Sequence, residues 1–248
     1  MNSKPRNLLN TKGNLKYFEK NDNCEANEMK YRSAFDIIGP VMIGPSSSHT
    51  AGAARIGRVA RTLFNRQPKK AVISLYGSFA KTYKGHGTDV AIVGGLLDFD
   101  TFDERIPTSL TLAEEAGMDI VFSIEDTVTD HPNTVRINLY DEKGELEVVG
   151  ISIGGGTIEI IELNSFKLKL SGEHPAILVV HNDQFGVISA VTQILATYEI
   201  NIGHMEVSRK EKGKMALMVI EVDQKIEQEV IKEIEKIPNV TQIIRMVE

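Results

Sequence analysis

The chain has 248 residues, 42% hydrophobic and 25% charged, enough for one medium domain plus a small one and too apolar to be disordered throughout. Its 28 Lys and Arg are interleaved with 34 Asp and Glu for a net charge of −6, so no broad basic face exists to neutralise a nucleic-acid backbone. No apolar run approaches the roughly 20 residues of a membrane span and no secretory core opens the chain, which points to the cytoplasm. The single cysteine, Cys24, excludes an internal disulfide and the several thiolates of a zinc or iron–sulfur site.

Residues 1–28 are rich in Asn, Lys and Glu without periodicity and read as a disordered extension; Met29 is a second candidate start. A first domain is expected over 29–170. After Gly39, Pro40, Gly44 and Pro45, the run Ser46, Ser47, Ser48, His49, Thr50 leads into a stretch where Ile56, Val59, Ala60 and Leu63 repeat at helical spacing, with Arg55, Arg58, Arg61 and Arg66 largely off that stripe. Residues 71–76 read as a buried strand ended by Gly77, Thr88 and Asp89 open a helix, and 108–116 form another before a strand over 119–124. Alternation at 135–140, the turn Glu142, Lys143, Gly144 and a returning strand over 146–153 make a hairpin. Gly154, Gly155 and Gly156 break that strand, 157–163 supplies another, and the polar stretch 164–174 reads as a linker. The whole is α+β with a mixed or antiparallel sheet.

The second domain, 171–248, is ordered as strand 177–181, helix 187–198, strands 200–208 and 214–222, helix 226–237 and strand 240–247. That is βαββαβ, the ferredoxin-like split unit. Asp183 before Gly186 is suited either to capping the helix or to accepting from an amino-acid ammonium, with Gly186 permitting close approach at a helix N-terminus.

Four hydroxyls and an imidazole between Ser46 and Thr50 sit at a helix start, where free amides and the dipole attract negative charge, so the segment suits a small carboxylate or phosphate. Ser and Thr are also the preferred caps, which accounts for part of the pattern. Ala51, Gly52, Ala53, Ala54 and Gly57 would let another backbone or a ligand come close. His86, between Gly85 and Gly87 and ahead of Thr88 and Asp89, is a candidate acid, base or orienting group. Asp130, His131, Pro132, Asn133 and Thr134 form a third polar turn. His49, His86, Asp89 and His131 lack local metal-ligand spacing, so no metal ligand is assigned.

Residues 174–248 resemble an ACT domain, on Asn182, Asp183, Gln184, Phe185, Gly186, Val187 and Ile188 followed by Asn201 and Ile202. The resemblance implies a regulatory ligand near Asp183, Gly186 and Asn201, or simply homo-pairing of subunits through side-by-side sheets. Together with FDIIGP at 35–40, GPSSSHT at 44–50, GHGTD at 85–89, DHPNT at 130–134 and SIGGG at 152–156, the chain resembles the β subunit of the iron–sulfur-dependent L-serine dehydratase from Met29 onward. This implies a lyase of amino-acid metabolism and gluconeogenesis that turns L-serine into pyruvate and ammonia, as a hetero-oligomer with an α subunit holding a 4Fe–4S cluster. The β chain alone would be inactive. Carried onto matching positions, Ser46, Ser47, Ser48, Thr50, Thr88 and Asp89 would bind substrate, with His49 and His86 catalytic. The alternative is a non-catalytic amino-acid-sensing or dimerisation module.

Overall fold

A computed structural model describes residues 40–246 of the chain. The extension over 1–28, Cys24, Met29, residues 35–39 and residues 247–248 lie outside the described residues.

The first half is built on a six-stranded sheet in the order β2-β1-β3-β4-β5-β6. Strand β1, Lys70–Tyr76, runs parallel to β2, Asp119–Glu125, and antiparallel to β3, Thr134–Asp141. The remaining pairs, through β4, Gly144–Gly154, β5, Thr157–Leu163, and β6, Phe166–Leu170, are antiparallel. Helices α1, Gly52–Phe64, α2, Gly77–Thr82, α3, Thr88–Leu96, and α4, Ser109–Glu115, cover one face. Alternation dictates that face: Ala71, Ile73 and Leu75 of β1 register opposite Leu139, Ile137 and Val135 of β3, and all six are fully buried. The helical stripe of Ile56, Val59, Ala60 and Leu63 meets them from above.

Helices α1 and α3 touch backbone to backbone. A Cβ at Gly57 would lie 2.2 Å from the Ile92 carbonyl oxygen, and one at Gly95 would lie 2.1 Å from that of Ala54. Small residues here thus admit a second backbone, where the first half of α1 crosses the C-terminal half of α3.

The second half is a four-stranded antiparallel sheet, order β10-β7-β9-β8, from β7, Ala176–Asn182, β8, Ile202–Arg209, β9, Met215–Val222, and β10, Val240–Met246. Helices α5, Val187–Thr197, and α6, Gln228–Glu235, pack on the face carrying Ile177, Val179, Met218 and Ile220. The expected βαββαβ order is what forms. The opposite face, with Ala176, Leu178, Leu217, Val219, Ile244 and Met246, is buried in the same core as the first half.

The expected linker over 164–174 is corrected by this arrangement. Asn164 and Ser165, both at positive φ, close a hairpin, and Phe166, Leu168 and Leu170 turn inward while Lys167 and Lys169 face solvent. Two lysines in five residues disguised a strand of period two. Ser171 then fastens the second sheet, its amide and hydroxyl donating to Glu221 Oε1 at 2.9 and 2.7 Å.

Candidate functional site

The serine-rich turn forms a π-helical turn, Ser47–Ala51, that runs directly into α1. Ser46, in extended backbone, caps it: its Oγ accepts from the His49 amide at 3.1 Å, while its carbonyl oxygen accepts from the amides of Thr50 and Ala51. Capping thus uses one hydroxyl of the four. His49 engages a second, with Nδ1 3.0 Å from Ser48 Oγ, and its Nε2 reaches outside the run to lie 2.9 Å from Ser78 Oγ. A third, Thr50, donates to the His86 carbonyl oxygen at 2.8 Å and so ties the first motif to the second.

The two imidazoles meet. Ring centroids of His49 and His86 lie 4.9 Å apart with planes at 60°, and Phe79 stands edge-on to His49 at 5.3 Å. Burial first, and then the neighbouring His86, hold the His49 pKa below its ordinary 6.5. His49 is therefore neutral at pH 7, with one ring nitrogen donating and the other accepting. His86 Nδ1 and the Thr88 hydroxyl are buried and have no hydrogen-bond partner among the described residues. Asp89 does not face His86 in any hydrogen bond; its Oδ1 accepts from the Val90 amide.

Two further motifs close around this pair. Ser78 is held by its amide, which donates to the Pro132 carbonyl oxygen at 2.7 Å. Asn133 bridges to Ser152, accepting at its carbonyl from the Ser152 amide at 3.0 Å and donating from Nδ2 to the Ser152 carbonyl at 3.2 Å. A Cβ on Gly52 would lie 2.1 Å from Ser152 Oγ, so the start of α1 rests on β4. Segments 46–52, 77–79, 86–88, 132–133 and 152 thus converge from five elements. Ser152 opens the SIGGG motif, whereas Ser78 was not singled out in the sequence; its available signal was a Gly–Ser pair directly after a buried strand, which reads equally well as a turn.

The regulatory-ligand candidates are not assembled within one chain. Asp183 does not cap α5, whose cap is Gly186 at φ 87°; its Oδ2 instead accepts from Arg209 Nη1 at 3.0 Å and the Gly213 amide at 2.9 Å. Those bonds, the Gly213 amide foremost, hold its carboxyl below the usual range. Asn201 Nδ2 donates to Asp223 at 2.6 Å, beyond the far end of β9. At about 3.3 Å per residue the length of β9 separates the two by roughly 25 Å.

Cavities of about 600 and 690 Å³ flank α1 where it meets the second sheet, and no residue of the four motifs lines either one. In the larger, Arg58 is already paired with Asp98 and Asp100.

Comparison with known proteins agrees with the motif cluster. Residues 33–114 match the serine dehydratase beta chain family and residues 177–242 an ACT domain like that of the AHAS small subunit. A Bacillus subtilis protein named "Probable L-serine dehydratase, beta chain" is 67% identical over 88% of this chain and 99% of its own. The chain belongs to the L-serine dehydratase beta chain family. A second beta chain, from Peptoniphilus asaccharolyticus, is 42% identical over 77% of this chain and 87% of its own. The Bacillus subtilis D-3-phosphoglycerate dehydrogenase is 24% identical over 77% of this chain and 36% of its own. Among the described residues of this beta chain, no helix is long and apolar enough to cross a membrane.

Proposed function

We propose that this beta chain binds L-serine at the convergence of GPSSSHT and GHGTD and, joined to an alpha chain, converts it to pyruvate and ammonia as a cytoplasmic lyase. The observation that carries this reading is the contact of His49 with His86 inside a ring of hydroxyls. A small zwitterion needs donors for its carboxylate, acceptors for its ammonium and a neutral base near its α-hydrogen. Ser46, Ser47, Ser48 and Thr88 supply the hydroxyls, the helix starts supply amides, and a neutral His49 beside His86 moves a proton. Holding the α-hydrogen against a ring nitrogen converts a bimolecular step into a local one, which is where a positioning subunit acts.

The donor set does not fit an iron–sulfur cluster on this chain. It carries one cysteine, and among the described residues no three His, Cys, Asp or Glu side chains gather as a metal site. The 4Fe–4S cluster is therefore assigned to the alpha chain, and the beta chain alone is inactive. The proposed domains are 29–170, carrying the site, and 171–248, a regulatory and pairing unit. Exposed Met205 and Val207 on β8, an edge strand, favour homo-pairing along that edge. Antiparallel pairing there would set Asn201 of one copy near Arg209 and Asp183 of the other, an arrangement no single chain achieves.

Anaerobic co-expression tests the reading. Serine-dependent pyruvate is expected from the complex and from neither chain alone. Turnover by the isolated beta chain, or a complex in which His49→Ala works normally, would overturn it.

A further inference from the structure

Strand β4 reaches the candidate site with a loose end. Its ladder to β5 is irregular between Ser152 and Gly154, and beyond that the chain turns through Gly155 and Gly156 at φ 63° and 87°, the two positive angles of a tight hairpin turn. Three successive glycines lose the most conformational freedom on being ordered, and they have no side chains to hold them. Ser152 is fully buried, and its hydroxyl has no hydrogen-bond partner among the described residues. Its position therefore depends on the backbone around it.

Helix α1 supplies the hold that the ladder lacks. Gly52 rests on Ser152, and Arg55, one turn later, reaches the glycine turn itself, its Nη1 donating to the Gly156 carbonyl oxygen at 3.0 Å. From another side Pro40 lies against Gly156, where a Cβ would come within 2.7 Å of the proline ring. The same Nη1 is 3.7 Å from Glu173 Oε1, and Glu173 follows Ser171, which is bonded to Glu221 of the second sheet. A guanidinium nitrogen has two N–H groups and can serve both acceptors. The half-exposed ion pair contributes little to stability. The bond to Gly156, a buried residue, is the stronger tie, because removing the donor leaves that carbonyl unsatisfied.

We propose that Arg55 is a positioning residue of the site: its bond to Gly156 holds the glycine turn, and with it Ser152, against the start of α1, while Glu173 steers the guanidinium from the side of the second sheet. The effect on turnover rests on the reading of the site as serine-binding; the hold on the turn does not.

Two measurements separate these. Hydrogen–deuterium exchange of the full beta chain reads the hold without the partner or any turnover. Arg55→Met, which keeps an apolar stem and removes the donors, is expected to speed exchange over 152–158 by about tenfold, the low end for a hydrogen bond to a charged group. Glu173→Gln should have a smaller effect on the same segment, and Arg58→Met, on the next turn of the same helix, none. Should Arg55→Met not fold, Arg55→Gln carries the same test. In the complex with the alpha chain, Arg55→Met is expected to raise the serine KM by about threefold to tenfold with a smaller change in kcat, as loss of ground-state positioning does, and Arg55→Lys to recover part of it. Arg58→Met should leave KM alone. Unchanged exchange over 152–158, acceleration spread evenly along the chain, or faster exchange of the turn with KM and kcat both unchanged overturns the proposal. Faster exchange confined to the turn, in a chain whose wild-type complex makes no pyruvate from serine, would uphold the hold of Arg55 and sink the serine reading.

Discussion

Two helix starts in this chain look alike in sequence and end in different surroundings. Before α3, His86 and Gly87 precede Thr88 and Asp89; before α5, Asp183 and Gly186 precede Val187. In both the glycine caps the helix in left-handed backbone, at φ 65° and 87°, with no side-chain cap. The first is covered by the π-helical turn and α2, so that its histidine meets a second histidine. The second stays open, with Phe185 fully exposed and Asp183 spent on the β8–β9 turn. A polar glycine turn becomes a candidate site when a second element is brought onto it, and here the Thr50 hydroxyl bonded to the His86 carbonyl and the His49–His86 contact mark where that happens.

The largest effect expected from this contrast is catalytic. His49→Ala and His86→Ala should each lower serine turnover by about 10²- to 10⁴-fold with complex assembly intact, while Asp183→Ala leaves turnover in the absence of effector unchanged. Steady-state pyruvate formation beside size-exclusion of the complex measures both. Equal losses at both helix starts would abolish the distinction.

The next effect concerns the sheet that carries the open helix start. Because its helix-free face is part of the main core, Leu217→Ala is expected to destabilise the whole chain by about 2–5 kcal/mol in urea unfolding. Truncation after Leu170 should yield an aggregating protein, since Phe166, Leu168 and Leu170 lose their cover. A truncated chain that unfolds cooperatively like the full one would show the halves to be independent.

A smaller effect probes how α1 is seated. Gly52→Ala places a methyl on Ser152 Oγ and should cost about 1–3 kcal/mol, with Ser152→Gly relieving much of it in the double variant. Additive effects would mean that α1 does not rest on β4.

The fold was largely readable because its strands and helices keep their periods. The stripe on α1 and the alternation on β3 each signal burial within one element. β6 escaped because Lys167 and Lys169 dominate a five-residue segment, and α2 because Gly77 ends β1 without the signal of a helical stripe. The site was legible only as fragments. Ser46, His49 and His86 stand out locally, but the partner of His49 Nε2 comes from 29 residues away, and nothing local to Ser78 announces it. Long-range convergence lies beyond what spacing encodes. In the second half the same limit worked in reverse: Asp183 and Asn201 read as one site, and the length of a strand parts them.

The subtlest difference between the two regions lies in the pH at which each titrates. His49 is held below 6.5 by burial and then by His86, so its charged form is disfavoured in the fold. The unfolded chain takes up that proton first, and stability falls as pH drops below 6.5, until the folded ring is itself protonated. Asp183 runs on a lower scale: its carboxyl is depressed from 3.8, so the stability it contributes is complete above that value and lost only as pH falls beneath it. Urea midpoints followed from pH 8 downward should therefore show a decline beginning near 6.5 that weakens in His49→Gln and is untouched in Asp183→Asn. Replacing His86 by Asn should raise the His49 pKa only part of the way, because burial, the larger cause, remains; proton NMR titration of the beta chain reads this directly. A return to 6.5 in that variant would make the second histidine, rather than enclosure, the reason His49 is neutral.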